Sequence, residues 1–198
     1  MKKITYLLSL MLIITLATIS CTKDGTNTTI ENPAKATISN NFVVDSFLTI
    51  VSGSWEFGNK FYSSKNGKIT KLGCKMAEVG NYRVSLWDFS TENLITSTTI
   101  AVSDTSQFKY NVISPVDVTT NTRYVISINN TSGGVAKRYY AYLKKFNATS
   151  IYPFTTGSIT YETVQEKNSS ISIFPDFVNP GDQKYFAGIP DFQIEYEE

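Results

Sequence analysis

The residues that do most enzymatic proton and metal chemistry are scarce in this chain. There is no histidine and there are two cysteines among 198 residues. That removes the Ser-His and Cys-His nucleophilic pairs and the ordinary zinc sites. No Gly-rich phosphate loop, His-Glu-x-x-His, paired Cys-x-x-Cys or Asp-x-Asp-x-Asp-Gly loop occurs, so no cofactor is expected. What remains is a carboxylate pair, which in glycoside hydrolysis needs two acids about 5–9 Å apart. The candidates are Asp88, Glu92, Asp176, Asp182 and Asp191. They fall mostly in turn-like stretches, where an acid caps backbone N–H groups or faces water. Catalysis is therefore not the expected role.

Aromatic residues carry more information. They make up 13% of the chain, with 12 Tyr and 12 Phe. Sugars bind proteins by laying C–H faces on aromatic rings while amides and acids bond the hydroxyls. Candidate platforms are the Tyr139-Tyr140-x-Tyr142 strand and the pair Tyr152 and Tyr185, with Asp176 as a nearby hydroxyl partner. In a strand Tyr140 and Tyr142 share one face and Tyr139 takes the other, so one side is core and the other is open to a ligand. Each ring taken singly is more simply read as core filling.

These side chains must be held by strands. Tyr82, Val84 and Leu86 alternate with Arg83, Ser85 and Trp87. Phe108, Tyr110 and Val112 alternate with Lys109 and Asn111, and Tyr124, Ile126 and Ile128 with Val125, Ser127 and Asn129. Leu72, Cys74 and Met76 show the same period, as do Phe192, Ile194 and Tyr196. Cys74 is expected to be buried and unpaired. Asn66-Gly67 reads as a hairpin turn, and Gly80-Asn81, residues 90–93, residues 119–121 and Ser132-Gly133-Gly134 as further turns. Many short strands at this spacing predict an all-β antiparallel β-sandwich, jelly-roll-like, over residues 42–198. No helix-length amphipathic segment follows residue 21. Residues 146–190 differ, with four prolines and many aromatics. Strands are expected there at 158–165 and 171–174, with the rest covering an end of the sandwich or facing a ligand.

The N-terminus reads as an address. Lys2 and Lys3 precede a 14-residue apolar stretch, too short to span a bilayer, which needs about 20 residues. After that stretch, Ile4 to Ala17, comes Thr18-Ile19-Ser20-Cys21, which resembles the lipobox of bacterial lipoproteins, though with Thr18 where Leu is usual. The resemblance implies a signal peptide over 1–20 and a lipidated Cys21. Residues 21–41, rich in Thr, Asn and Lys, then read as a flexible tether. Lys23-Asp24 resembles the export signal of surface-displayed lipoproteins. The expected location is the cell envelope, lipid-anchored at the outer membrane. The charge, 18 basic against 17 acidic residues, lacks the basic excess that nucleic-acid binding requires.

The run from Tyr82 to Thr96, with Leu86-Trp87-Asp88 at its centre, resembles the signature of an uncharacterised family of extracellular bacterial β-sandwich domains. Glu92-Asn93 stand where that family usually has Gly. Residues 68–73, 108–118 and 121–128 resemble flanking pieces in the same order, and 188–192 extends the likeness. The resemblance implies a sandwich, often a module of secreted proteins beside carbohydrate-active domains, with no activity attached. Leu86 should face the core, Trp87 the opposite side under a covering loop, and Asp88 the following turn. The function expected is a non-catalytic envelope lipoprotein whose partner, besides the membrane, is a glycan or other extracellular polymer. The alternative is a protein-interaction, adhesin or structural accessory module, and a small carboxylate-based hydrolase is the third reading.

Overall fold

The structure, a computed structural model, describes residues 27–39, 46–50, 52–143 and 149–197, with the backbone alone at 46–50, 142, 143 and 197. Cys21 and the expected signal peptide over 1–20 lie outside these residues. Short strands dominate because alternating Val, Ile, Tyr, Phe and Thr suit a pleated surface buried on one side.

Two sheets make the sandwich. The first has four strands, in the order β1 (Thr28–Glu31), β15 (Pro190–Glu197), β4 (Gly67–Cys74) and β7 (Lys109–Val118). The second has six, in the order β12 (Phe154–Thr156), β13 (Ile159–Asn168), β3 (Trp55–Ser63), β8 (Arg123–Asn129), β5 (Gly80–Asp88) and β6 (Leu94–Val102). All named pairings are antiparallel. Phe61 on β3 stacks on Phe192 on β15 with ring centroids 4.7 Å apart, so the core lies between the sheets. Tyr82, Val84 and Leu86 and then Ile126 and Ile128 are fully buried there, as their alternation predicts. A third sheet, β14 (Tyr185–Ala187), β11 (Tyr139–Leu143) and β2 (Ser46–Ile50), packs Phe186 edge-on against Phe154 and Tyr161. A small ribbon, β9 (Thr131–Ser132) with β10 (Val135–Ala136), turns through Gly133 and Gly134, both at positive φ.

Several expectations need correction. Asn66-Gly67 does not close a hairpin: β3 and β4 belong to different sheets, and the chain crosses between them here. Gly67 is required by packing, since a Cβ would lie 2.7 Å from the Tyr196 ring. Val112 does not enter the core. A bulge opposite Ile69 and Lys71 reverses the facing of β7, leaving Val112 76% exposed while Val118 turns inward. The tether does not run to residue 41. Thr28–Glu31 pairs with β15, and Pro33–Ser39 forms the helix α1. The carboxylate of Asp191, fully buried, accepts from Ala34 N at 2.9 Å, Lys35 N at 3.1 Å and Tyr110 Oη at 2.6 Å, and so fastens the start of α1. Burial pushes its carboxyl up to about 6 against these donors. Residues 171–174 are irregular rather than a strand.

That irregular stretch covers the outer face of the six-stranded sheet. Trp87, facing away from the core, is 6% exposed because Phe174 packs edge-on against it at 6.0 Å. Pro175 crosses Gly58 so closely that a Cβ would lie 2.6 Å from its Cγ. The outer face beneath is polar, and its groups bond to one another and to the cover. Trp87 Nε1 donates to Ser127 Oγ at 2.7 Å, and Ser127 Oγ donates to Glu56 Oε1. Asn129 Nδ2 donates to the carbonyls of Ser169 and Ile171, and Ser85 bonds Ser172. Glu56 Oε2 has no hydrogen-bond partner, and burial pushes the carboxyl up to about 7 from 4.5.

A carboxyl raised in the folded state stabilises the fold fully below its unfolded value and loses that contribution as pH rises through the folded one. Glu56 should therefore cost stability between pH 4.5 and 7, by on the order of 3 kcal/mol at the top of that window. Urea unfolding of wild type and Glu56→Gln across pH 4.5–8 reads this. The wild type should lose stability relative to the variant as pH rises, and parallel profiles would contradict the assignment.

Candidate functional site

The same covering segment ends in a cleft. After Pro175 the chain forms a two-way bridge with β13, Phe177 N to Glu166 O and Glu166 N to Phe177 O. It then turns through a short 3₁₀ helix, Pro180–Asp182, capped by Asn179 Oδ1 accepting from Gly181 N at 3.0 Å. Gln183 clips this turn to the sheet. Its Nε2 donates to the Val164 and Asn179 carbonyls, and its Oε1 accepts from Thr163 Oγ1 at 2.7 Å. The next strand, β14, pairs with β11, with Tyr185 opposite Leu143 and Ala187 opposite Ala141, and Tyr185 and Tyr139 line the same cleft.

The cleft so formed has a volume of about 110 Å³ and is lined by Phe57, Tyr139, Ala141, Val164, Glu166, Asp182, Tyr185 and Ala187. Its floor is apolar. Phe57 and Tyr139 hold each other, with ring centroids 4.3 Å apart. Lys184 Nζ sits 5.2 Å from the Tyr185 ring centroid. Two acids stand together in the wall. Asn179 Nδ2 donates to Asp182 Oδ2 at 2.8 Å and reaches Glu166 Oε1 at 3.4 Å. Burial first, and then the neighbouring Asp182 charge, lift the Glu166 carboxyl above its ordinary value. Burial also raises the Tyr139 phenol, aided by Glu166 and Asp182. The cleft thus combines ring surfaces with hydrogen-bond acceptors carrying negative charge. Such a site favours polyhydroxylated, uncharged or cationic ligands over anionic ones.

The residues expected at a site are distributed as follows. Tyr185 lines the cleft. Tyr140 is half-buried on the other face of β11, its hydroxyl 3.4 Å from the Thr105 carbonyl and its ring 5.7 Å from Lys75 Nζ. The Tyr142 side chain lies outside the described residues. Tyr152 is turned into the fold, donating to Asn59 Oδ1 at 2.6 Å, with its ring on Phe154. Asp176 is exposed and paired with Lys167. Asp88 caps its turn as expected: Ser90 Oγ and Thr91 N donate to it and hold its carboxyl below the usual range. Cys74 is fully buried, and burial pushes its thiol up to about 12. Tyr139, part of the Tyr139-Tyr140-x-Tyr142 platform, also lines the cleft, whereas nothing in the sequence singles out Glu166, Asn179 or Gln183. The Asn179-Pro180-Gly181-Asp182 turn signal was present, but nothing local says that it meets β13.

Replacing Asp182 with Asn should lower the Glu166 titration midpoint while leaving it above 4.5, because burial, the larger cause, stays in place. Carboxyl-carbon NMR of wild type and D182N measures this. A Glu166 that titrates at or below 4.5 in the wild type would contradict the geometry.

Comparison with known protein families places the chain. No match to a curated protein was found. Residues 30–185 match the family described as a domain of unknown function, DUF4082. That span takes in the end of β1, α1 and, apart from β15, the other strands of both large sheets, and it stops at Tyr185 in the cleft. The chain belongs to the DUF4082 family.

Proposed function

We propose that this protein is a non-catalytic lipoprotein of the cell envelope, held by lipid on Cys21, whose sandwich binds a glycan or other extracellular polymer in the Tyr139–Tyr185 cleft. The observation that carries the reading is the pairing of two tyrosine rings with Glu166, Asp182 and Asn179 around an apolar floor. Rings supply area for sugar C–H faces, and the acids accept sugar hydroxyls without any reacting group being needed. The acids favour neutral sugars, because a carboxylated unit would meet like charge. Exposed Phe177 and Val178, on the segment that forms the cleft wall, extend the apolar surface on that side of the molecule.

A hydrolytic reading of the same cleft has one observation in its favour, the adjacency of Glu166 and Asp182 with the Glu166 carboxyl raised. Reducing ends released from a bound polysaccharide by wild type and lost in Glu166→Gln would establish it. Unchanged polysaccharide leaves binding as the role.

Two outcomes are expected. The full chain should retain neutral polysaccharides from a broad panel, and Tyr185→Ala should weaken that retention at least tenfold with the melting temperature changed by only a few degrees. Retention unaffected by Y185A would sink the cleft assignment. Cys21→Ala should release the protein from membrane fractions, and a variant that stays membrane-bound would remove the lipid anchor.

A further inference from the structure

The other end of the covering segment forms a second cavity, of about 230 Å³, on the outer face of the six-stranded sheet. Its chemistry is unlike that of the tyrosine cleft. Arg83, on β5, stands in it with Thr99 beside it in register on β6. Asn129 and Thr131 supply the wall at the end of β8, and Ser170 and Ser172 of the covering segment close it. One cation is thus ringed by hydroxyls and amides. The Thr131 hydroxyl oxygen is buried and has no hydrogen-bond partner. An unpartnered buried hydroxyl carries an uncompensated desolvation penalty, which Thr131 would recover by turning its side chain toward a bound polar ligand. Arg83 makes no ion pair among the described residues. The carboxylate whose charge it feels, Glu56, is held mainly neutral below pH 7 by its burial.

We propose that this cavity binds an acidic saccharide unit, its carboxylate on Arg83 and its hydroxyls on Asn81, Thr99, Thr131 and Ser170, while Asn129 and Ser172 stay bonded within the fold. A guanidinium matches a carboxylate in two-point geometry, and the surrounding neutral donors and acceptors match a ligand with many hydroxyls and a single charge. A bare inorganic anion would leave those neutral groups unused. The assignment does not depend on the tyrosine cleft. Its residues are separate, and the acids of that cleft would repel the ligand proposed here.

The test is titration of the full chain with trigalacturonate, with the neutral galactose trisaccharide, and with sodium acetate and sodium sulfate, by calorimetry at low salt. Trigalacturonate should bind. Arg83→Gln should weaken it at least tenfold and Thr131→Val several-fold, while Y185A leaves it unchanged. Added salt should weaken it further, since the Arg83 contact is exposed. Arg83 is exposed and Val is isosteric with Thr, so both variants should melt near the wild-type temperature. No binding of trigalacturonate would overturn the proposal. So would equal affinity for the neutral trisaccharide, equal affinity for acetate or sulfate, or R83Q binding like wild type. If Y185A abolished trigalacturonate binding, the ligand would sit in the tyrosine cleft, and this proposal would fall together with the neutral-sugar preference assigned to that cleft.

Discussion

The structure turns on the burial of the six-stranded sheet on both faces. Its inner face is apolar and packs on the four-stranded sheet, as an ordinary sandwich requires. Its outer face carries Glu56, Ser85, Ser127 and Asn129, all shielded from water. A layer of that kind is tolerable only when its polar atoms find partners, because each unpaired buried group costs free energy that the fold must offset elsewhere. Residues 169–175 meet most of that demand through two carbonyls accepting from Asn129 and the Ser172 hydroxyl on Ser85, leaving Glu56 Oε2 without a partner, while Phe174 and Pro175 exclude water over Trp87 and Gly58.

The two cavities follow from this arrangement. A segment fixed over the middle of a sheet has ends that must leave it, and those ends form walls. Residues 170–172 wall the cavity holding Arg83, and residues 179–183 turn back beside β13 to wall the tyrosine cleft. Gln183 is central to the second. It bonds backbone groups on two sides and so fixes the distance between the 3₁₀ turn and Glu166. The two cavities differ in sign because one takes its charge from β5 and the other from β13 and the turn. Loops of a covering segment can carry sites of this kind when a rigid sheet sets their geometry.

Much of this was legible in the sequence, and for local reasons. Alternation along β5 and β8 placed Tyr82, Val84, Leu86, Ile126 and Ile128 inside. The Leu86-Trp87-Asp88 triplet placed Trp87 under a cover and Asp88 in a turn, because neighbours in a strand face opposite ways. The misses are non-local. Asn66-Gly67 looks the same whether the next strand pairs with the last or crosses to another sheet, and the choice was made by β13, β15 and β8. Residues 28–39 lack apolar periodicity, yet they are held by Asp191, 157 positions from Ala34. Val112 reads as core until a bulge set by register with β4 turns it outward. The carboxylates of the cleft belong to a strand and a loop turn, and the Phe177 bridge, the Gln183 clip and the Asn179 amide bring them together.

The central claim, that the Tyr139–Tyr185 cleft is where ligand meets protein, is tested most directly by chemical-shift mapping. Backbone amides of the protein would be followed while a neutral oligosaccharide taken from a retained polysaccharide is added. The account expects perturbations concentrated at Tyr139, Ala141, Val164, Glu166, Tyr185 and Ala187 and in the 179–183 turn, with the exposed edge of β7 unmoved. Perturbations centred on another surface, with Tyr185 and Glu166 silent, would contradict it.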